Sequence, residues 1–233
     1  MFLAIDTSTR NAGLALINEE SQVMRSVYWR SQRNHSVETV PAIEQLLGNQ
    51  GISKDSLKGV AVARGPGNFS SLRVGISIAK GLAWSLNVPL VSATTLEVEA
   101  WPYLRLGSVV CALIDAGRGE VSCASFSYCN GRISQDDSEL ILDPRELFDL
   151  LQEDSIICGE GLGAHLDLFN TQRPGYFRLA LPNLPSQRAI SLAQISVDRF
   201  KEGIYESPES MEANYLRQPT ITMPKHGSNW LNK

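Results

Sequence analysis

Residues 63–84 read ARGPGNFSSLRVGISIAKGLAW, a glycine-rich loop that follows a compact apolar run (58–63) and opens an apolar helix. Gly65 and Gly67 permit positive φ, and so a tight reversal. Ser70 or Ser71 is placed to cap the helix over 70–86, whose N-terminus attracts anions. Leu72, Ile76, Ala79, Leu82, Ala83 and Leu86 recur at helical spacing. Neither GxxxxGK[ST] nor GxGxxG is present. Two readings stay open: a phosphate loop, or a strand-to-helix turn that needs glycine for close packing.

Upstream, three strands are expected at 2–5, 12–17 and 23–29, then a helix over 36–50 with Val37, Val40, Ile43 and Leu47 on one stripe. Pro41 must kink that helix or sit in its first turn. Downstream come a strand at 89–92 and a helix over 94–104. The pattern then restarts. Strands at 109–114 and 121–128 flank GRGE, and helices and strands alternate at 144–151 (helix), 156–158, 162–169 (helix), 177–179 and 189–200 (helix). LAIDTSTRNAGLAL and ALIDAGRGEVSCASF are two versions of one hairpin, each with an aspartate, Asp6 or Asp115, ending its first strand. A duplicated α/β unit follows. The expected organisation is two domains, 1–105 and 106–217, plus a tail at 218–233, with the helix near 189–203 packing back on the first domain.

The chain has 233 residues, 43% hydrophobic and 20% charged, which allows a sizeable core. Its formal charge is −4, with no basic stripe visible along the sequence, so unaided binding of tRNA or DNA is not expected. The four cysteines form no CxxC pair and are expected reduced and mostly buried. The start lacks the basic n-region of a signal peptide, and no apolar run is long enough to span a bilayer, so a cytoplasmic location is expected.

Asp6 and Asp115 are the candidate acids of a nucleotide cleft, with Thr7, Ser8, Thr9 and Arg10 as possible anion donors. The competing reading has each aspartate capping its own hairpin. GEGLGAHL at 159–166 is the nearest approach to an adenosine pocket, and its glycines equally suit a tight turn. The three histidines, His35, His165 and His226, are too far apart in sequence for a helical ligand pair, so no metal site is expected. No GxSxG elbow marks a nucleophile.

The element order is similar to the ribonuclease-H-like domain of the actin, sugar-kinase and Hsp70 superfamily. The run GPGNFSSLRVGISIAKGLAWSLNVPLVSATTLE resembles the TsaB/YeaZ family more specifically. AIDTSTRNAGLAL, RNHSVETVPAIEQLL, IDAGRGEVSCASF and EANYLR match it in order, over about residues 1–217. The usual family loop is close to GPGSFTGLRxG, from which Asn68, Ser70 and Ser71 depart. The resemblance implies two actin-like domains and a noncatalytic subunit of the bacterial tRNA threonylcarbamoyladenosine machinery. It implies a heterodimer with the catalytic relative TsaD through helices, a third partner in the ATPase TsaE, tRNA met only through the complex, and a homodimer when TsaD is missing. ATP is then used by the complex and no cofactor is assigned to this chain. TsaD carries a histidine-pair metal site where this sequence has VSATTLEVEAW, with Thr94, Thr95, Leu96 and Glu97 in place. The implied contacts are His35, Val37, Val40, Ile43 and Leu47 on one helix, and Phe69, Leu72, Arg73, Ile76 and Lys80 on the next. Gly75, Ala79 and Ala83 would permit close helix approach. Asp6, Thr7, Ser8, Gly65, Gly67 and Asp115 are then vestigial phosphate loops. A small ATP-dependent phosphotransferase using Asp6 and Asp115, or a metalloprotease, are the alternatives.

Overall fold

A computed structural model describes residues 1–181 and 184–217; the expected tail and His226 lie outside the described residues. The first half contains β1 (Phe2–Asp6), β2 (Asn11–Ile17), β3 (Val23–Arg30), α1 (His35–Gly48), β4 (Gly59–Ala63), α2 (Phe69–Leu86), β5 (Leu90–Ala93) and α3 (Thr95–Ala100). The second contains β6 (Val110–Gly117), β7 (Glu120–Cys129), β8 (Arg132–Gln135), β9 (Leu140–Leu142), α4 (Leu147–Leu150), β10 (Ile156–Cys158), α5 (Leu166–Gln172), β11 (Arg178–Leu179) and α6 (Arg188–Glu202).

The first sheet has the order β3-β2-β1-β4-β5, antiparallel on the β1–β2–β3 side and parallel from β1 to β4 and β5. The second repeats it as β8-β7-β6-β10-β11, with β9 also paired to β7. These are the two ribonuclease-H-like units. β1 and β4 are buried throughout, which is why they read as continuous apolar runs. Alternation along them divides the core. Leu3, Ile5, Leu14, Leu16, Val60 and Val62 face α1 and α2 with Ile43, Leu47 and Ile76. Phe2, Ala4, Ala15, Ile17, Ala61 and Ala63 face the opposite way, in one cluster with Leu192 and Phe200 of α6 and Ala112 and Phe126 of the second sheet. α6 packs on the first sheet, where small alanines let it lie close, and Phe2 stacks on Phe200 at 4.2 Å. α3 in turn packs on β6 of the second sheet. Each half therefore lends one helix to the other's sheet.

Several local expectations need correction. The helix expected over 94–104 stops at Ala100 and continues as a 3₁₀ turn that carries Pro102. At 144–151 a 3₁₀ turn with an Asp143–Glu146 capping box precedes a single α turn. The helix expected at 162–169 begins only at Leu166. Strands β8 and β9 are short and polar-flanked, and pattern did not reveal them. Pro41 lies inside α1 on its exposed side, where water can solvate the carbonyl its ring leaves without a partner. Cys111, Cys123 and Cys158 are buried, Cys129 is exposed, and all four are free thiols. No helix among the described residues is long and apolar enough to cross a membrane.

Candidate functional site: a closed cleft and a two-helix face

β1 delivers Asp6 to the junction of the two halves, 1% exposed. Its Oδ1 accepts from the Ser8 backbone N–H at 2.9 Å and from Ser8 Oγ at 2.7 Å. Arg188, the first residue of α6, then grips it with a fork: Nε donates to Oδ2 at 2.7 Å and Nη2 to Oδ1 at 3.0 Å. Arg188 Nη1 donates to Glu160 Oε2 at 2.6 Å and to Thr9 Oγ1 at 2.9 Å, and Nη2 reaches Ser8 Oγ at 2.8 Å. Every face of the guanidinium is occupied. Thr9 also donates to Glu160, so the first hairpin and the second half are joined through one buried cation.

Three carboxylates surround that cation, because Glu99 of α3 lies 3.7 Å from Nη1 and accepts from the Glu160 backbone N–H. Burial alone would raise the Asp6 carboxyl, but the charge and hydrogen bonds of Arg188 win and hold it below the usual range. Burial raises Glu99, and the neighbouring Glu160 and Asp6 charges add to it against Arg188, leaving it at about 7. Burial would lower Arg188, but Asp6 and Glu99 keep it firmly protonated.

The sign of the pH dependence follows. A carboxyl raised on folding stabilises the fold while protonated. Glu99's contribution is complete below the unfolded value of 4.5 and is lost as pH rises to about 7. Asp6 acts oppositely and loses its contribution as pH falls below 3.8. Glu99→Gln is therefore expected to flatten the stability profile between pH 4.5 and 7 and to raise stability at pH 8. The gain is on the order of 3–4 kcal/mol, from a displacement of between two and three pH units at about 1.4 kcal/mol each. Urea melts at pH 5 and pH 8 check it.

The GPG loop closes on the same junction. The Asn68 N–H donates to Ser8 O at 2.7 Å, and a Cβ on Gly67 would lie 2.1 Å from that oxygen. Gly67 is thus required for close approach, while Gly65 alone of the pair has positive φ, at 110°. Asn68, not Ser70 or Ser71, caps α2, its side chain accepting from the Ser71 N–H. Thr7 Oγ1 donates to Ser71 O at 2.7 Å. Asp115 is exposed and caps its own turn, accepting from the Gly117 N–H at 2.7 Å. It lines a hollow of about 260 Å³ with Pro66, Gly67 and Phe69, edged by Tyr215 and Arg217. Arg217 donates to Ala116 O at 3.1 Å and pairs with Glu120.

A Mg²⁺–nucleotide pair, which the superfamily fold implies, does not fit these residues. Its first acid is already paired to Arg188, and the first-hairpin loop and the GPG loop are bonded to each other. At the place of the histidine pair, Thr94 caps α3 through the Glu97 N–H, and Glu97 pairs with Arg199. Among the described residues no three His, Cys, Asp or Glu side chains are grouped to hold a metal ion. The glycines of 159–166 form a turn, with Gly159 at φ 98°, and its Glu160 serves the Arg188 cluster.

The helix residues separate into three groups. His35, Ile43, Leu47, Leu72 and Ile76 are buried in the chain's own interior, and His35 Nε2 donates to Thr9 O at 2.9 Å. Gly75, Ala79 and Ala83 likewise face inward. Phe69, Arg73 and Lys80 are held by the last described segment. Tyr215 packs on Phe69 at 4.7 Å, Arg73 donates to the Tyr215 hydroxyl, and Lys80 Nζ donates to Met211 O at 3.1 Å. Only Val37 and Val40 of the ten remain free apolar surface, at 68% and 44% exposed. Trp84, 65% exposed in the last turn of α2, was missed, although an aromatic off the apolar stripe was the available signal. Arg188, Glu99 and Glu160 were also missed, because nothing local marks partners so distant in sequence.

A family profile described as "TsaD: tRNA N6-adenosine threonylcarbamoyltransferase" matches residues 29–167. The tRNA threonylcarbamoyladenosine biosynthesis protein TsaB of Escherichia coli is 31% identical, covering 92% of this chain and 94% of its own. The Bacillus subtilis protein of the same name is 31% identical over 70% of this chain and 72% of its own. YeaZ from Pseudomonas aeruginosa superposes with a TM-score of 0.76 at 28% identity, covering 92% of this chain and 99% of that one.

Proposed function

The chain belongs to the TsaB/YeaZ family of tRNA threonylcarbamoyladenosine biosynthesis proteins, and from that premise we propose that it serves as the noncatalytic docking subunit of this machinery. In this reading TsaD supplies the reactive groups and transfers threonylcarbamoyl to the adenosine beside the anticodon. TsaE is the third partner, ATP is consumed by the complex, and this chain itself takes no nucleotide.

One observation carries the reading: the acid that a nucleotide cleft would need is locked into a buried fork with Arg188. A phosphotransferase built on Asp6 and Asp115 would need both carboxylates free, and both are engaged within the chain. A metalloprotease would need a ligand set that the described residues do not assemble. Val37, Val40 and Trp84 instead leave apolar surface on α1 and α2 beyond what their own sheet requires. The matched profile is that of the transferase, so an equivalent pair of helices on TsaD offers a complementary face. Two helices from each side can bury the roughly 1,600 Å² of a stable interface. Without TsaD, the same face would pair two copies of this chain.

Size-exclusion chromatography with purified TsaD tests this directly. The two proteins are expected to coelute, and modified tRNA is expected only when both are present with TsaE, ATP and an activated threonylcarbamoyl donor. Product formation by the isolated chain overturns the proposal.

A further inference from the structure

Three arginines scattered through the sequence converge at one end of the docking face. Arg10 lies in the turn between β1 and β2, Arg30 ends β3, and Arg33 sits in the loop before α1. The Ser31 N–H donates to Arg10 O at 2.8 Å and pins the two loops together. Arg10, Arg30, Ser31, Gln32 and Arg33 line an open hollow of about 600 Å³. Arg10 and Arg33 also line an adjoining hollow of about 380 Å³ with Ser36, Asn68, Ser70 and Ser71, where α1 and α2 both begin.

We propose that Arg10, Arg30 and Arg33 form a landing site for the sugar–phosphate backbone of the tRNA substrate, at the rim of the two-helix face. All three are exposed, and among the described residues none makes an ion pair or a side-chain hydrogen bond. Arg132, Arg145, Arg173, Arg188, Arg199 and Arg217 each pair with a carboxylate; of the other arginines that make no ion pair among the described residues, Arg10, Arg30 and Arg33 are the three that line these two adjoining hollows. In a chain of net charge −4, three clustered arginines left unpaired repel one another unless an outside anion joins them.

The occupant follows from the lining. Neither hollow has an acidic residue to repel an anion, and arginine, serine, asparagine and glutamine side chains in the lining can all donate to phosphate oxygens. Two adjoining hollows that share Arg10 and Arg33 suit successive phosphates better than one small anion. The N-termini of α1 and α2 add their positive ends to the same spot. Three phosphate contacts are too few to hold RNA alone, which agrees with a site that acts only when TsaD holds the same molecule. The inference therefore rests on the docking reading.

The test uses the assembled complex with TsaD and a fluorescently labelled transcript of a substrate tRNA, with binding measured by anisotropy between roughly 50 and 200 mM salt. Combined Arg10→Ala, Arg30→Ala and Arg33→Ala should weaken binding at least tenfold. The slope of log affinity against log salt should fall by about 2–3, at about 0.7–0.9 for each phosphate no longer neutralised. The matching lysine replacements should keep most of the affinity and slope, and millimolar inorganic phosphate should not compete with the tRNA. Unchanged affinity, weaker binding with an unchanged slope, or full competition by inorganic phosphate overturns the site. If the triple variant does not coelute with TsaD, Arg30→Gln replaces it, with a slope change of about 0.7–0.9 expected and none overturning the proposal. Failure of the unaltered chain to coelute with TsaD would instead bring down the docking reading itself.

Discussion

Arg188→Ala is expected to cost on the order of 3–5 kcal/mol, a large share of the roughly 5–15 kcal/mol that keeps a domain folded. The magnitude comes from what is left behind. Asp6 is 1% exposed, and its carboxylate would keep only the Ser8 donors. Glu160 would keep Thr9, and Glu99 would lose the one cation it pairs with among the described residues. Uncompensated buried charge is far more costly than the intact cluster is favourable. For a chain of this size the melting temperature should fall by about 10 °C or more. Arg188→Lys should recover little, since an ammonium cannot present a fork to Asp6 while also reaching Glu160. Arg188→Met combined with Asp6→Asn and Glu160→Gln should recover more than Arg188→Lys does, because it removes the stranded charges along with the cation. Urea and thermal melts decide the matter. A melting point within about 2 °C of the unaltered chain for Arg188→Ala would show that the cluster does not hold the two halves together.

That cluster also marks where reading the sequence stopped working. The paired hairpins ending in Asp6 and Asp115, the buried strands β1, β4 and β6, and the long helix after the GPG loop were all legible. Each is written in short-range periodicity: 2 along a strand, 3.6 along a helix. The function of Asp6 was not legible, because its partner enters from the start of the last helix and no local pattern links them. His35 was misplaced for a related reason. It opens an amphipathic helix, yet the loop carrying Thr9 O covers it, and only the tertiary fold brings that loop over. Residues 206–217 lack periodicity and read as a fading end. In the structure they tie to both halves, by the Asn214 N–H to Arg64 O on the first and by Arg217 to Ala116 O and Glu120 on the second. Bonds of that kind leave no repeat in the sequence. Of the arginine patch, Arg10 was legible as an anion donor, but Arg30 and Arg33 were not, since the three share no strand or helix face.

Val40→Asp combined with Trp84→Asp is expected to leave the chain folded and to abolish coelution with TsaD. The choice of positions is set by exposure. Ile76, on the same helix as Trp84, is only 6% exposed and packs with Leu3, Ile5 and Val62, so a charge there would test folding and not docking. Val40 lies in the second turn of α1 and Trp84 in the last turn of α2, at 44% and 65% exposed. A charge at either costs the free chain little, because water reaches it. In the assembled interface the same carboxylate would be stripped of water against an apolar helix, and the anchoring indole would be gone. Exposed tryptophans of this kind dominate binding energy when they fill a partner's pocket, at about 2 kcal/mol or more each. With a buried charge of similar cost at Val40, the pair should weaken association by about three orders of magnitude, since each 1.4 kcal/mol is a factor of ten. Circular dichroism and melting should stay close to those of the unaltered chain, while the retention volume in the presence of TsaD should become that of the separate proteins. Coelution of the folded double variant would mean that TsaD docks elsewhere, and α1 and α2 would then serve only to cover their own sheet.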